Sequence, residues 1–232
     1  MKNNVIKRVF LSGLAVMAVL TAVCAFAETA AEPFDQQALV DRSRLTFQSF
    51  MLDERMAWFR DNMHKAEGFL IIPEMLKGGF VVGASWGNGV LIVRNKNTGE
   101  WSQPAFFTIS AGSVGLQIGG EMSEVIMMVK TRKGLDRMGS SSFKLGTDVS
   151  MAVGPVGGGV KGDILADFVS FVRSKGAFFG ASIEGAVLKV NDKWNRAYYG
   201  RDVTPVDIVE TDSVSNPGSA GLREAVREAY MK

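Results

Sequence analysis

Histidine and cysteine are almost absent from this chain of 232 residues, which carries His64 and Cys24 and no other residue of either type. A lone cysteine excludes an internal disulfide, so the fold has to be held by a packed core. The same scarcity leaves no soft ligand set for a metal. No calcium-loop spacing occurs either, and the acids Asp148, Asp163, Asp167 and Glu184 form an unspecific group. No metal site and no cofactor are expected. Beyond the N-terminus no apolar run approaches the ~20 residues of a membrane-spanning helix.

Two motifs that look catalytic lack their partners. Gly83-Ala84-Ser85-Trp86-Gly87 matches the pattern in which a serine is exposed on a strained turn, but the mechanism needs a histidine base that follows the serine in chain order. His64 precedes it, and Asn88-Gly89 reads as the start of another strand rather than of a helix. The glycine clusters Gly115–Gly120 and Gly154–Gly159 do not make a phosphate loop, because Lys161 is followed by Gly162 and no βαβ unit surrounds either cluster. They read as tight bends in a curved sheet. An enzyme is not expected.

What is present begins with a leader. Lys2, Lys7 and Arg8 precede an apolar stretch from Val9 to Val23, and Ala25-Phe26-Ala27 fits the small-x-small rule for signal cleavage. Residues 1–27 therefore read as a secretory signal, which predicts a periplasmic protein. An uncleaved anchor is the rival, with a stretch shorter than the ~20 residues of a span; lipidation at Cys24 is a third reading. Removing the leader takes Lys plus Arg from 26 to 23 against 24 Asp plus Glu, a net charge of −1. So weak a field excludes nucleic acid as the expected partner, and attraction to anionic lipid would have to come from a local patch.

The remainder divides into one domain over 28–210 and a tail over 211–232. Residues 34–65 carry helical spacing, with Leu45, Leu52, Met56, Phe59 and Met63 expected to face the core. From 66 to 209 short apolar runs alternate with Gly, Asn and Pro. Asn88-Gly89 and Asn95–Gly99 read as hairpin turns, Lys133–Met138 as a helical turn, and Trp194–Tyr199 continues the strand pattern. This predicts an α+β fold: a strongly curved, mostly antiparallel β-sheet or partial barrel with the N-terminal helices packed on it. Thr211–Gly221 reads as a linker and Leu222–Tyr230 as a short terminal helix.

The remaining candidate for function is a binding surface. Lys130, Arg132, Lys133 and Arg137 cluster beside an apolar strand, and Arg173 with Lys175 stand beside Phe178 and Phe179. Each basic residue near an anionic membrane contributes about 1 kcal/mol, so such clusters hold a peripheral protein when they share a face.

Several stretches, in order, carry a resemblance: Ile72-Pro73, Gly78–Gly83, Gly87–Leu91, Trp101–Ala105, Gly115–Gly119, Leu145-Gly146, Gly154–Gly157, Ser174-Lys175-Gly176 through Glu184-Gly185, and Tyr198-Tyr199-Gly200. Together they run from Lys65 to Val209, and the chain resembles the SYLF-domain family of lipid-binding proteins. The resemblance implies an α+β domain without known catalysis that associates with phospholipid. Phe171-Val172-Arg173-Ser174 keeps the family's Ser-Arg-Ser-Lys-Gly motif only in part. Behind a secretory leader the expected ligand is anionic phospholipid, held by Lys130, Arg132, Lys133, Arg173, Lys175, Phe178 and Phe179; actin binding is not carried over. The alternative is a structural or protein-interaction module of the cell envelope.

Overall fold

The computed structural model describes residues 36–79, 82–114, 119–157, 162–174, 177–179, 183–211 and 213–231. They form an α+β fold built on one curled, mostly antiparallel sheet. Helix α1 (Gln36–Leu52) leads through a 3-10 turn (Glu54–Met56), α2 (Ala57–Asp61) and a second 3-10 turn (Met63–Lys65) to four long strands. These are β1 (Gly68–Gly79), β2 (Val82–Val93), β3 (Ala105–Val114) and β4 (Gly119–Val129). Helix α3 (Arg132–Met138) and the shorter strands β5 (Ser142–Lys144), β6 (Met151–Val153), β7 (Phe168–Ser174), β8 (Ala177–Phe179) and β9 (Val187–Val190) follow. The chain closes with α4 (Asp192–Tyr199), α5 (Pro205–Val209) and α6 (Ala220–Tyr230). The strand order is β5-β9-β3-β2-β1-β4-β7-β6, with β8 also on β7, and β6 with β7 is the parallel pair.

Both faces of the sheet are buried over the half nearer Gly68, which is why β1 reads there as an unbroken apolar run, Phe69-Leu70-Ile71-Ile72. Phe69 and Ile71 point to the face covered by α1, α2 and α6, whereas Leu70 and Ile72 point to the opposite core with Leu135, Phe143 and Ile208. On the first face Phe69 lies 5.6 Å between ring centroids from both Phe47 of α1 and Trp101, and Trp101 lies 5.7 Å from Tyr230 of α6. One aromatic chain thus ties the first helix, the central strand and the last helix together.

The structure corrects several sequence expectations. Asn88-Gly89 is not a turn: Asn88 pairs with Glu74 and Thr108 inside β2, and the β1–β2 ladder continues to Gly79↔Gly83. Pro73 cannot donate to a ladder, and β1 shifts register between Ile71 and Glu74. The bulge presses on β2, so that a Cβ on Gly87 would stand 2.6 Å from the Glu74 carbonyl and one on Gly89 2.6 Å from the Ile72 side chain. These glycines serve close approach of two strands rather than reversal of the chain. Trp194–Tyr199 is helix, not strand. Asn191 caps it by accepting from the Trp194 amide, Gly200 ends it in the left-handed conformation at φ 71°, and Trp194 and Tyr198, one turn apart, both meet Phe106. Leu45 and Leu52 face solvent. The buried stripe of α1 is Leu39, Val40, Ser43, Thr46, Phe47 and Phe50, while Met56, Phe59 and Met63 are buried as expected.

Residues 213–219 are anchored to the body of the fold. The buried Gln103 side chain accepts from the Asn216 amide and the Ser219 hydroxyl, and Asn216 donates to the Tyr198 carbonyl. Asn95–Gly99 does form a turn, with the Asn95 side chain accepting from Asn97 and Thr98 and Gly99 at φ 76°.

Candidate functional site

Of the cations expected to form a binding surface, Lys130 and Arg173 are engaged inside the protein, while Arg132 and Lys133 are ion-paired at the surface with 55% and 64% of their side chains exposed. Lys130 sits just past the end of β4 with only 7% of its side chain exposed. Its ammonium meets Asp163 at 2.5 Å and the Ile164 carbonyl at 2.6 Å. Arg132 pairs with Asp136 and Glu210, and Lys133 pairs with Asp167 at 3.1 Å. Arg173, on β7, is largely buried; it pairs with Glu124 and its guanidinium lies 4.6 Å from the Phe50 ring centroid. Glu124 stands opposite Arg173, six residues before Lys130 along β4, which separates the two basic groups by about 20 Å. Lys175 lies outside the described residues, and of Phe178 and Phe179 only the backbone, paired with Arg173 and Val172, is described. Arg137 is exposed on α3.

Asp167 is the hub of the polar network near Lys133. Burial acts to raise its pKa, but hydrogen bonds from the Thr131 hydroxyl, the Ser150 amide and hydroxyl, and Lys133 outweigh it and hold the carboxyl well below the usual carboxylate range. This network ties the start of α3 to the residues that enter β6 and β7 and is structural. Ser85, the serine of the elbow-like motif, occupies a regular position in β2 opposite Lys77 and Ala111, so no strained turn presents its hydroxyl. Among the described residues there is no group of acids, histidine or cysteine suited to a metal, and no helix is long and apolar enough to cross a membrane.

The feature that stands out lies where α1 stops covering the sheet. Helix α1 crosses the strands: Arg42 meets Glu74 of β1 at 3.0 Å, Thr46 meets Glu124 of β4 at 3.0 Å, and Phe50 meets Arg173 of β7. One row beyond this polar border, on the same face, Trp86, Leu76 and Met122 lie side by side on β2, β1 and β4. They are 52%, 37% and 53% exposed. The next row is bare: Gly112, Ala84, Gly78 and Gly120 stand in register across β3, β2, β1 and β4. A Cβ on Gly78 or Gly112 would meet no described atom within 4 Å, and one on Gly120 only the Lys77 carbonyl at 3.9 Å. No described neighbour therefore requires their smoothness, unlike that of Gly87 and Gly89. Glycine is disfavoured inside strands, where it marks a bulge, a tight bend or close approach by another group; the pairing is regular through all three glycines, which leaves close approach. The result is an apolar ridge beside a flat floor, about 14 Å across four strands and about 7 Å between rows.

Sequence reasoning missed this face because it broke β1 and β2 into pieces. The signal was available in the alternation Leu76, Gly78 and Ala84, Trp86, once the chain reversal is moved from Asn88-Gly89 to beyond Gly79.

A curled α+β sheet with an apolar face left open by the described residues has the form of a binding domain. Comparison with known sequences agrees with this class. A family model described as Ysc84, Las17-binding protein actin regulator, matches residues 110–229, more than half of the chain. The chain belongs to the Ysc84 family, the same SYLF-domain family that its motifs resemble. Human SH3 domain-containing YSC84-like protein 1 is 30% identical over 154 residues, covering 64% of this chain and 44% of that protein. LAS seventeen-binding protein 3 of Saccharomyces cerevisiae is 30% identical over 152 residues, covering 62% of this chain and 32% of that protein. The chain thus spans less than half the length of these curated relatives.

Proposed function

We propose that this protein is a non-catalytic interaction module that docks a protein partner on the bare sheet face, with Trp86, Leu76 and Met122 as anchors. The observation that carries the reading is the pairing of exposed large apolar side chains with glycines that no described neighbour requires. Aromatic and Met anchors bordering a smooth floor suit a protein–protein contact. The description of the matched family and the name of the yeast relative, both of which name Las17 binding, support a protein as the partner class. The N-terminal leader supports a cell-envelope site of action after removal of residues 1–27. Affinity purification from envelope extract tests the reading. One stoichiometric protein is expected with the wild type, and its loss with Trp86→Ser plus Met122→Ser; equal recovery by both would overturn it.

An anionic-phospholipid reading draws on the same row, because tryptophan beside apolar side chains is the set enriched at the membrane–water interface. In that reading Lys175, one residue past the Ser123↔Ser174 pair, supplies the headgroup contact, while Lys130 and Arg173 keep their internal partners and Arg132 and Lys133 lie at the other end of β4. It predicts co-sedimentation with phosphatidylglycerol but not phosphatidylcholine vesicles, lost in the Trp86→Ser plus Met122→Ser variant. Absence of the protein from both pellets would remove it.

A further inference from the structure

A second surface, distinct from the sheet face, lies on the helical side of the molecule. A groove of about 870 Å³ runs between the C-terminal half of α1, the segment from α2 through its following 3-10 turn, and the C-terminal half of α6. Met51, Leu52, Met63 and Ala229 give it an apolar lining, and Leu52 is 84% exposed at its edge. Thioether side chains adapt to irregular partners, a property found at surfaces that bind helices.

The charges at the groove are unequal in what they have left to offer. The Arg60 guanidinium donates to the carbonyls of Met51 and Asp53 at the end of α1, so it neutralises the helix terminus. Asp61 and Glu228, from α2 and α6, are exposed and have no salt-bridge partner among the described residues. The groove therefore presents acidic groups beside an apolar floor. Every lining residue belongs to a helix or helical turn, so the backbone there offers at most a few carbonyls at helix C-termini, and no strand edge borders it. An extended peptide would find no row of backbone donors and acceptors there, so an occupant has to satisfy its own backbone.

We infer that this groove is a docking site for an amphipathic helix of a partner protein, one that sets Lys or Arg beside its apolar face. The apolar face would cover Leu52, Met51 and Ala229, and the basic residues would meet Asp61 and Glu228.

The test uses the full chain and two fluorescein-labelled model helices of eighteen residues, one of Leu and Lys and one with Glu at every Lys position, followed by fluorescence anisotropy. The Leu/Lys helix is expected to bind and the Leu/Glu helix not to bind. Asp61→Lys with Glu228→Lys should weaken binding about tenfold, the scale for reversing two exposed charges. Leu52→Asp should abolish it, and Trp86→Ser should leave it unchanged, which separates this site from the sheet face. All substituted side chains are exposed, and a circular dichroism melt confirms that each variant folds. Equal binding of the two helices, or no effect of the Asp61 and Glu228 changes, would overturn the inference. So would a Leu52→Asp variant altered only in binding to phosphatidylglycerol vesicles, or only in self-association by sedimentation.

Discussion

The open glycines allow stability and function to be driven in opposite directions. In Gly78→Thr, Gly112→Thr and Gly120→Thr combined, each new side chain enters open space on a strand with no positive φ. Glycine inside a strand costs roughly 0.5–1 kcal/mol relative to alanine, and β-branched residues suit strands better still. Gly78 and Gly120 are direct cross-strand partners, so their effects couple rather than add independently. The triple variant should gain about 2 kcal/mol, raising Tm by about 6 °C for a domain of this size. The same methyl and hydroxyl groups would fill the floor beside Trp86, and partner recovery should fall. Gly87→Ala and Gly89→Ala are the opposite control, since their Cβ atoms would meet Glu74 and Ile71 backbone oxygens at 2.6 and 2.7 Å; each should lose about 2 kcal/mol. Calorimetry measures the first effect and affinity purification the second. A triple variant no more stable than wild type would refute the open-face geometry. A stabilised variant that still recovers the partner would refute the docking assignment.

Three further outcomes follow from the internal contacts. Asp167→Asn should cost about 2–3 kcal/mol at neutral pH, because a buried carboxylate with four hydrogen bonds loses its charge. Its folded pKa is depressed, so the contribution is full above the unfolded value of about 4 and is lost as pH falls below it; urea melts from pH 7 to 3 should show the difference between wild type and variant narrowing only below that point. Arg173→Ala should destabilise by about 2–3 kcal/mol, since it leaves Glu124 with Thr46 but no counter-charge and uncovers Phe50, and a loss of vesicle binding by a Glu variant at this position has to be checked against its melting curve. Gly154→Ala should cost about 3 kcal/mol or prevent folding, because its Cβ would fall 2.1 Å from the Phe171 ring; a variant melting within two degrees of wild type would contradict the packing of β7.

The fold class was legible because its signals are local. The apolar run Phe69–Ile72, the Asn95–Gly99 turn and the Lys133–Met138 helix each announce themselves within a few residues. Trp194–Tyr199 misled because aromatics favour strands, whereas its helical state is set by the Asn191 cap and by Phe106, distant in the chain. The candidate lipid site was legible only as composition. Whether a cation is free depends on its partners, and Asp163 lies 33 residues from Lys130 and Glu124 lies 49 from Arg173. The bare face was illegible for a related reason. Exposure of Trp86, Leu76 and Met122 is decided by where α1 ends its crossing of the sheet, a tertiary fact that the strand pattern does not contain.

The central claim is tested most directly by placing a photo-crosslinking amino acid at position 86 of the full chain in its native host and irradiating living cells. One discrete protein adduct is expected, absent when the same group replaces Asn97 in the distant turn and lost when Gly78, Gly112 and Gly120 are changed to Thr. Adducts to lipid alone, or no adduct from position 86, would contradict it.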